Sequence, residues 1–494
     1  MKMQSSEAST LTYINSRGDD MVFSSVIFLF ILLPITLLGY FILNKISRGC
    51  GNYWLLLISL LFFSWSQPNY LWIILANIVI NYIGALFVDK LKKGRTLALI
   101  ISIAMNLLML FYFKYFDFAI DTYNNIFNKT HSLRNIVLPI GISFFTFQGM
   151  SYVIDVYRKD VEVQKNPFKV ALYITLFPQL IAGPIVRYKS VAREIEDRKT
   201  SLLDFSAGLE RFIIGLSKKT LIANTMAELA DQAWNSTGYD HLAGVAWIVS
   251  IAYTLQIYFD FSGYSDMAIG LGRMFGFHFD ENFDLPYISE SITEFWRRWH
   301  ISLSSWFRDY VYIPLGGNRK RVYLNLAIVF LLTGVWHGAS WHFILWGVWN
   351  GFFILLERFI RSKKDKEKSA SVTPLKRILM KVYTLLVVNF GWVLFRANDT
   401  KEALSFIRCM FGGANKDLVG FKLLWYVDRF NILIMIVGIF FASSIPRRIG
   451  KLIKSKVNEN VVDVIKYVVI LLLCYISMIR IIAGTYNPFI YFQF

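Results

Sequence analysis

The stretch Leu324–Gly351, LNLAIVFLLTGVWHGASWHFILWGVWNG, decides how the rest of the chain reads. It has the length of a membrane span, and no formally charged residue occurs between Tyr323 and Phe353. Near its middle sits a histidine, His337, among glycines, small residues and tryptophans. Burying an ionisable side chain in an apolar span is costly unless the group is neutral or paired, so such a residue marks a functional site by default. Immediately upstream, Phe295–Gly317 (FWRRWHISLSSWFRDYVYIPLGG) is the densest meeting of charged and aromatic side chains in the sequence.

Working outward, the same apolar character dominates. Of 494 residues, 55% are hydrophobic and only 17% charged, against about 25% charged in a soluble protein. The apolar residues come in blocks near the ~20 needed for a helix to cross a bilayer. The expected fold is therefore all-α: a polytopic membrane protein in the lipid bilayer, with about 11 transmembrane helices plus re-entrant or interfacial ones. Residues 1–20 form a polar extension, and the apolar run opening at Met21 makes that methionine an alternative start. Residues 21–490 read as a single transmembrane domain. The three cysteines, Cys50, Cys409 and Cys474, are far apart and form no framework.

The net charge of +18 does not point to nucleic acid. The clear basic clusters fall in short connectors, Lys90–Arg95, Arg361–Arg377 and Arg447–Lys456, which is the positive-inside pattern and predicts that they face the cytoplasm. The loop Asp117–Asn135 has few basic residues and should face outward. Several spans are interrupted: LPIGISFFTFQ at Pro139 and Gly141, FPQLIAGPIVRY at Pro178, Gly183 and Pro184, and YFDFSGYSDMAIG at Asp260 and Asp266. Broken or polar backbone at membrane depth persists only where protein or a wet cavity covers it, which implies a thick bundle with a polar interior. Ordinary kinked helices are the plainer alternative.

Placed on one helix, Phe295–Tyr312 separates into stripes. Trp296, Trp299, Leu303, Trp306 and Tyr310 form an apolar face. Arg297, His300, Ser304 and Arg308 line the adjacent stripe, where two arginines flanking a histidine would suit the phosphates of an acyl donor such as coenzyme A. The competing reading is an interfacial anchor with tryptophans at headgroup level. For His337, the helical neighbours are Thr333 and Trp341, and Gly334 and Gly338 make a small-xxx-small pair that admits another helix. An uncharged imidazole there could serve as general base, a role worth roughly 10²–10⁴-fold in rate. A histidine satisfied by an interhelical hydrogen bond is the alternative.

His342, about 140° round a continuous helix from His337, forms no metal pair with it and reads as structural. His131, His241 and His278 have no ligand partner at useful spacing, so no metal site is expected. There is no HExxH, GxSxG, Walker or Rossmann string, and GYSDM around Ser265 lacks the second glycine of a nucleophile elbow. Direct transfer is thus favoured over an acyl-enzyme.

At these residues the chain resembles the membrane-bound O-acyltransferase (MBOAT) family, and within it the bacterial alginate O-acetyltransferase branch. Phe295–Arg319 and Gly334–Gly347 are similar to that branch's two central motifs, and Leu138–Arg158, Phe177–Tyr188 and Gln256–Phe277 also match its pattern. The resemblance implies a helical fold around a central tunnel, with His337 as the essential intramembrane histidine and His300 as the second. It implies acetyl-CoA or another acyl thioester as donor substrate, with no permanently bound cofactor, in the inner membrane. It also implies an extracytoplasmic SGNH-type partner that passes the acetyl to a polysaccharide acceptor. Alginate is not demanded; cellulose, peptidoglycan or another exopolysaccharide fits as well. D-alanyl transfer to teichoic acid, by related enzymes sharing RRWHISLS-like strings, is one alternative, and a non-catalytic polysaccharide or lipid transporter another. Gln148, Ser143 and Asn350 are candidates to stabilise an oxyanion.

Overall fold

The structure, a computed structural model, describes residues 21–235, 242–364, 373–413, 427–484 and 486–490. The polar extension 1–20, His241 and most of the charged connector before Thr373 lie outside them. All regular structure among the described residues is helical. In chain order, α1 (Phe28–Ile46), α2 (Arg48–Ser66), α3 (Pro68–Lys90) and α4 (Arg95–Phe127) are long apolar helices. After them come α5 (Ile142–Arg158), α6 (Pro167–Thr175), α7 (Tyr188–Glu196), α8 (Leu202–Ser217) and α9 (Asn224–Asn235), then the long α10 (Ala243–Met274). The central motifs form α11 (Ile292–Arg298), α12 (Ile301–Phe307), α13 (Val322–His337) and α14 (Trp341–Lys364). The chain closes with α15 (Pro374–Arg396), α16 (Thr400–Met410), α17 (Arg429–Ala442), α18 (Ile445–Lys456) and α19 (Glu459–Ile482).

Eight of these helices are long and apolar enough to cross a membrane, nine if α17 and α18, bent by 68°, count as one broken span. That is fewer than the expected eleven or so, and one of the missing spans has a local reason. The run read as a continuous span over 324–347 breaks after His337, because Gly338 leaves the helix at φ −162° and ψ 157°. α13 is therefore only 16 residues long, and it pairs with α14 as an antiparallel hairpin. Gly334 packs on Gly347, and a methyl on Gly334 would lie 2.5 Å from the Phe343 carbonyl oxygen. Leu38, Leu108 and Leu471 are among many large apolar side chains left about two-thirds exposed, as a lipid-facing surface requires.

Two of the three segments expected to be interrupted pack on one another, whereas YFDFSGYSDMAIG lies within the unbroken α10. Gly141 has φ +75°, and a methyl there would sit 2.6 Å from the Leu180 carbonyl, so the Pro-Gly turn before α5 fits only glycine. Ile185, within the second interrupted segment, donates its N–H to Ser302 Oγ at 3.0 Å. At the end of the chain, residues 486–490 return into the bundle. Lys219 is buried against Asp260 and donates to the Pro488 carbonyl, while Ile490 N–H donates to Asp260 Oδ2 at 2.9 Å. Two of the basic connectors contact the loop and helix around Asp284 and Ser291: Arg447 pairs with Asp284, and Arg361 reaches Ser291.

Candidate active site

Two histidines and one tryptophan form the centre of the bundle. His300 does not lie on a continuous helix. It holds φ +42° between α11 and α12, with its side chain fully buried. The break is imposed from a distance. The loop after α10 runs alongside, so that Ile301 N–H donates to the Asn282 carbonyl (3.0 Å) and Asp284 N–H to the Arg298 carbonyl (2.9 Å). Asn282 Oδ1 accepts from Ser302 Oγ (2.9 Å) and Ser302 N–H (3.2 Å) and lies 3.2 Å from His300 Nδ1. The Asn282 amide is itself oriented by donating to Ser265 Oγ at 3.0 Å. Nδ1 therefore carries the ring proton and Nε2 keeps its lone pair. Nε2 is buried without a hydrogen-bond partner among the described residues.

α11 is seated by Glu357 of α14, whose carboxylate accepts from Ile292 N–H (2.6 Å), Thr293 N–H (3.0 Å) and Thr293 Oγ (2.7 Å). That is a buried anion at a helix N-terminus, where the dipole favours it. His337 ends α13. Its ring is held edge-on by Trp336, Trp346 and Phe395, at centroid separations of 4.8, 4.9 and 5.1 Å. The ring makes no hydrogen bond to the described residues. The indole of Trp336 packs against both histidines, 6.0 Å from the His300 ring and 4.8 Å from that of His337, and its own Nε1 has no hydrogen-bond partner among the described residues.

Two cavities approach this centre and share no lining residue. One, of about 850 Å³, lies between α8, α10, α17 and the loop after α10. Arg211, Glu281, Asp284 and Arg447 stand at its charged end, with Ser262, Ser265 and Asn282 in its wall. It therefore reaches the side chain that orients His300. The other, of about 30 Å³, is lined by Lys114, Ser143, Trp336 and His337 beneath the Pro139–Gly141 turn. The two spaces are lined by different residues, and Trp336 belongs to the lining of the smaller one.

The stripe Arg297–His300–Ser304–Arg308 does not survive the helix break. Arg297 is exposed, Ser304 is half-buried, and Arg308 is exposed and paired with Asp309, which also pairs with Arg187. His300 alone of the four points inward. His342 opens α14, beyond the break, with Nδ1 2.9 Å from Ser340 Oγ. Among the oxyanion candidates, Asn350 is occupied on both sides, by Trp296 Nε1 and the Trp346 carbonyl, whereas Gln148 is fully buried with neither amide atom partnered among the described residues. Sequence reading passed over Asn282, whose role depends on a fold-back, and Lys114, whose signal was a cation inside the apolar run Arg95–Phe127.

This arrangement, a pair of buried imidazoles in a polytopic bundle, defines a membrane enzyme. The chain belongs to the MBOAT, membrane-bound O-acyltransferase, family, whose pattern matches residues 108–366. It is 39% identical over 503 residues to a probable alginate O-acetylase AlgI of Pseudomonas putida, covering 96% of this chain and 100% of that one. A second probable alginate O-acetylase AlgI, from Pseudomonas aeruginosa, is 44% identical over 406 residues, covering 79% of this chain and 75% of the relative. A peptidoglycan O-acetyltransferase of Helicobacter pylori is 34% identical over 523 residues, covering 96% and 98%. The protein is a multi-pass membrane O-acyltransferase.

Proposed function

We propose that this enzyme moves an acetyl group from acetyl-CoA on the cytoplasmic side of the inner membrane to a hydroxyl presented from the other side, with His337 as general base. The observation that carries the reading is the pair of buried imidazoles that both pack against Trp336, one lining the smaller cavity and the other oriented by Asn282 in the wall of the larger. The donor thioester enters through the larger cavity, whose end carries Arg211 and Arg447 beside the basic connector of α18. It reaches the wall at Asn282, behind which His300 Nε2 is held ready.

His337 takes the proton of the acceptor hydroxyl as its oxygen attacks the thioester carbonyl. The carbon–sulfur bond breaks, and the departing thiolate receives the proton back from the imidazolium. Gln148 offers an unpaired amide N–H to the oxyanion. The acetyl group then passes to an extracytoplasmic SGNH-type partner and on to a surface polysaccharide. Acetylation is favoured over D-alanylation because the relatives aligned over nearly the whole chain are acetyl-transferring enzymes.

Inverted membrane vesicles supplied from outside with acetyl-CoA labelled in the acetyl group test this. Alkali-labile label should accumulate on material inside the vesicle. Label that stays outside, or a requirement for a D-alanyl thioester instead, would overturn it. A transporter would show lost polymer export without any lost modification.

A further inference from the structure

We infer that Lys114 is a positioning residue for His337, acting with Tyr115 as a clamp on the open end of α13; the inference rests on the acyl-transfer reading above. A helix ends with carbonyls that have no partner within it. Here the Gly338 N–H returns only to Gly334, at a long 3.4 Å. The next three carbonyls, of Val335, Trp336 and His337, are all taken by side chains of α4. Tyr115 Oη donates to Val335 at 2.7 Å, and Lys114 Nζ donates to Trp336 at 2.6 Å and His337 at 3.0 Å.

Two neighbouring residues reach one helix end because α4 is locally wound as a π-turn over Phe111–Tyr115. Such one-turn irregularities recur at functional sites. The third N–H of Lys114 goes to Ser143 Oγ at 3.3 Å, so all three bonds of the ammonium end on neutral oxygens. What faces its charge is the partial negative charge at the C-terminus of α13.

An ammonium at membrane depth is expensive, and a methionine would fill the same space without that cost. The geometry gives the cation a use. It holds the last two residues of α13 where the chain must leave the helix, and so sets where the His337 ring starts. The same ammonium borders the 30 Å³ cavity beside His337 and Ser143, so a shift of the helix end is felt where the reaction takes place.

The test is the initial rate of label uptake in the vesicle assay against acetyl-CoA concentration, for Lys114→Met, Lys114→Arg and Tyr115→Phe. Rates are expressed per folded enzyme, counted by size-exclusion chromatography of the solubilised protein. A base displaced by about 1 Å loses about 10²-fold in turnover, so Lys114→Met should lower kcat by about 30- to 100-fold. KM for acetyl-CoA should stay within about two-fold, since donor binding is untouched. Lys114→Arg, which keeps a cation at the helix end, should recover most of the loss, and Tyr115→Phe should cost several-fold in kcat alone.

An unchanged kcat in Lys114→Met, or a loss that vanishes once rates are normalised to folded enzyme, would overturn the inference. So would an Arg variant no better than Met. If Lys114→Met does not accumulate, the same kcat–KM split in Tyr115→Phe decides. A dead His337→Ala beside a normal Lys114→Met removes only the clamp, whereas a normal His337→Ala removes the functional reading itself.

Discussion

Gly334→Ala is the perturbation whose consequence can be worked furthest from the geometry. The methyl group would lie 2.5 Å from the Phe343 carbonyl oxygen, 3.2 Å from Gly347 Cα and 3.3 Å from Gly347 N. All three are backbone atoms that cannot rotate away. Relieving the first contact requires α13 and α14 to part by roughly 1 Å, since unstrained carbon contacts lie near 3.5 Å. Overpacking of this kind costs about 1–3 kcal/mol, which a polytopic bundle survives. His337 is one turn further along the displaced helix, however, and a misplacement of about 1 Å costs about 10²-fold in rate. The expected result is a variant present in the membrane at near-normal level that transfers acetate about a hundred-fold more slowly.

The assay is acetate released by alkali from surface polysaccharide, with membrane content matched by immunoblot. Gly391→Ala is the control: its methyl would meet nothing closer than the Trp349 ring at 3.5 Å, ordinary contact, so activity should stay near wild type. Full activity in Gly334→Ala would refute the claim that the hairpin sets the position of His337.

Three further outcomes follow from the same structure. Glu357→Ala strips the acceptor from three donors at the start of α11 and should lower stability by about 2 kcal/mol, read as a lower midpoint of thermal unfolding in detergent. Lys219→Met leaves the buried Asp260 carboxylate without its cation, a loss of about 3–5 kcal/mol, and the double variant Lys219→Met/Asp260→Leu should be the more stable of the two in the same measurement. At the surface, the hydrogen bond from Lys169 holds the Glu196 carboxyl below its usual range. A depressed carboxyl pKa contributes stability above the unfolded-state value and loses it as pH falls through the folded one. Thermal midpoints should therefore drop slightly more for wild type than for Glu196→Gln as the pH is lowered below 4.5, the ordinary glutamate value. The difference is kept to a few tenths of a kcal/mol because the pair is solvent-screened.

The two buried histidines were legible because membrane depth makes ionisable groups conspicuous: His337 in an uncharged run, and His300 in a dense charged-aromatic one. Their local backbone was less so. WRRWHISLSSW contains neither glycine nor proline, and its periodicity suits a helix throughout; the kink at His300 arises from pairing with Asn282–Asp284, a contact that a local pattern does not contain. At His337 the opposite happened. Gly338 was visible, but the same residue that lets helices approach also lets a helix end, and only the packing of Phe343 on it selects the hairpin. Lys114 sat near the end of an apolar block, where a lysine ordinarily snorkels to the interface. Its inward turn depends on the π-winding of Phe111–Tyr115, which no spacing rule foretells.

The most direct measurement is alkali-released acetate from the surface polysaccharide of cells whose only copy of this enzyme is His337→Ala, at matched membrane levels and beside His300→Ala. The account predicts acetate at background for His337→Ala, with polymer still exported in normal amount. Wild-type acetate in His337→Ala would contradict it; were His300→Ala alone to abolish transfer, the basic imidazole would be the one that Asn282 holds.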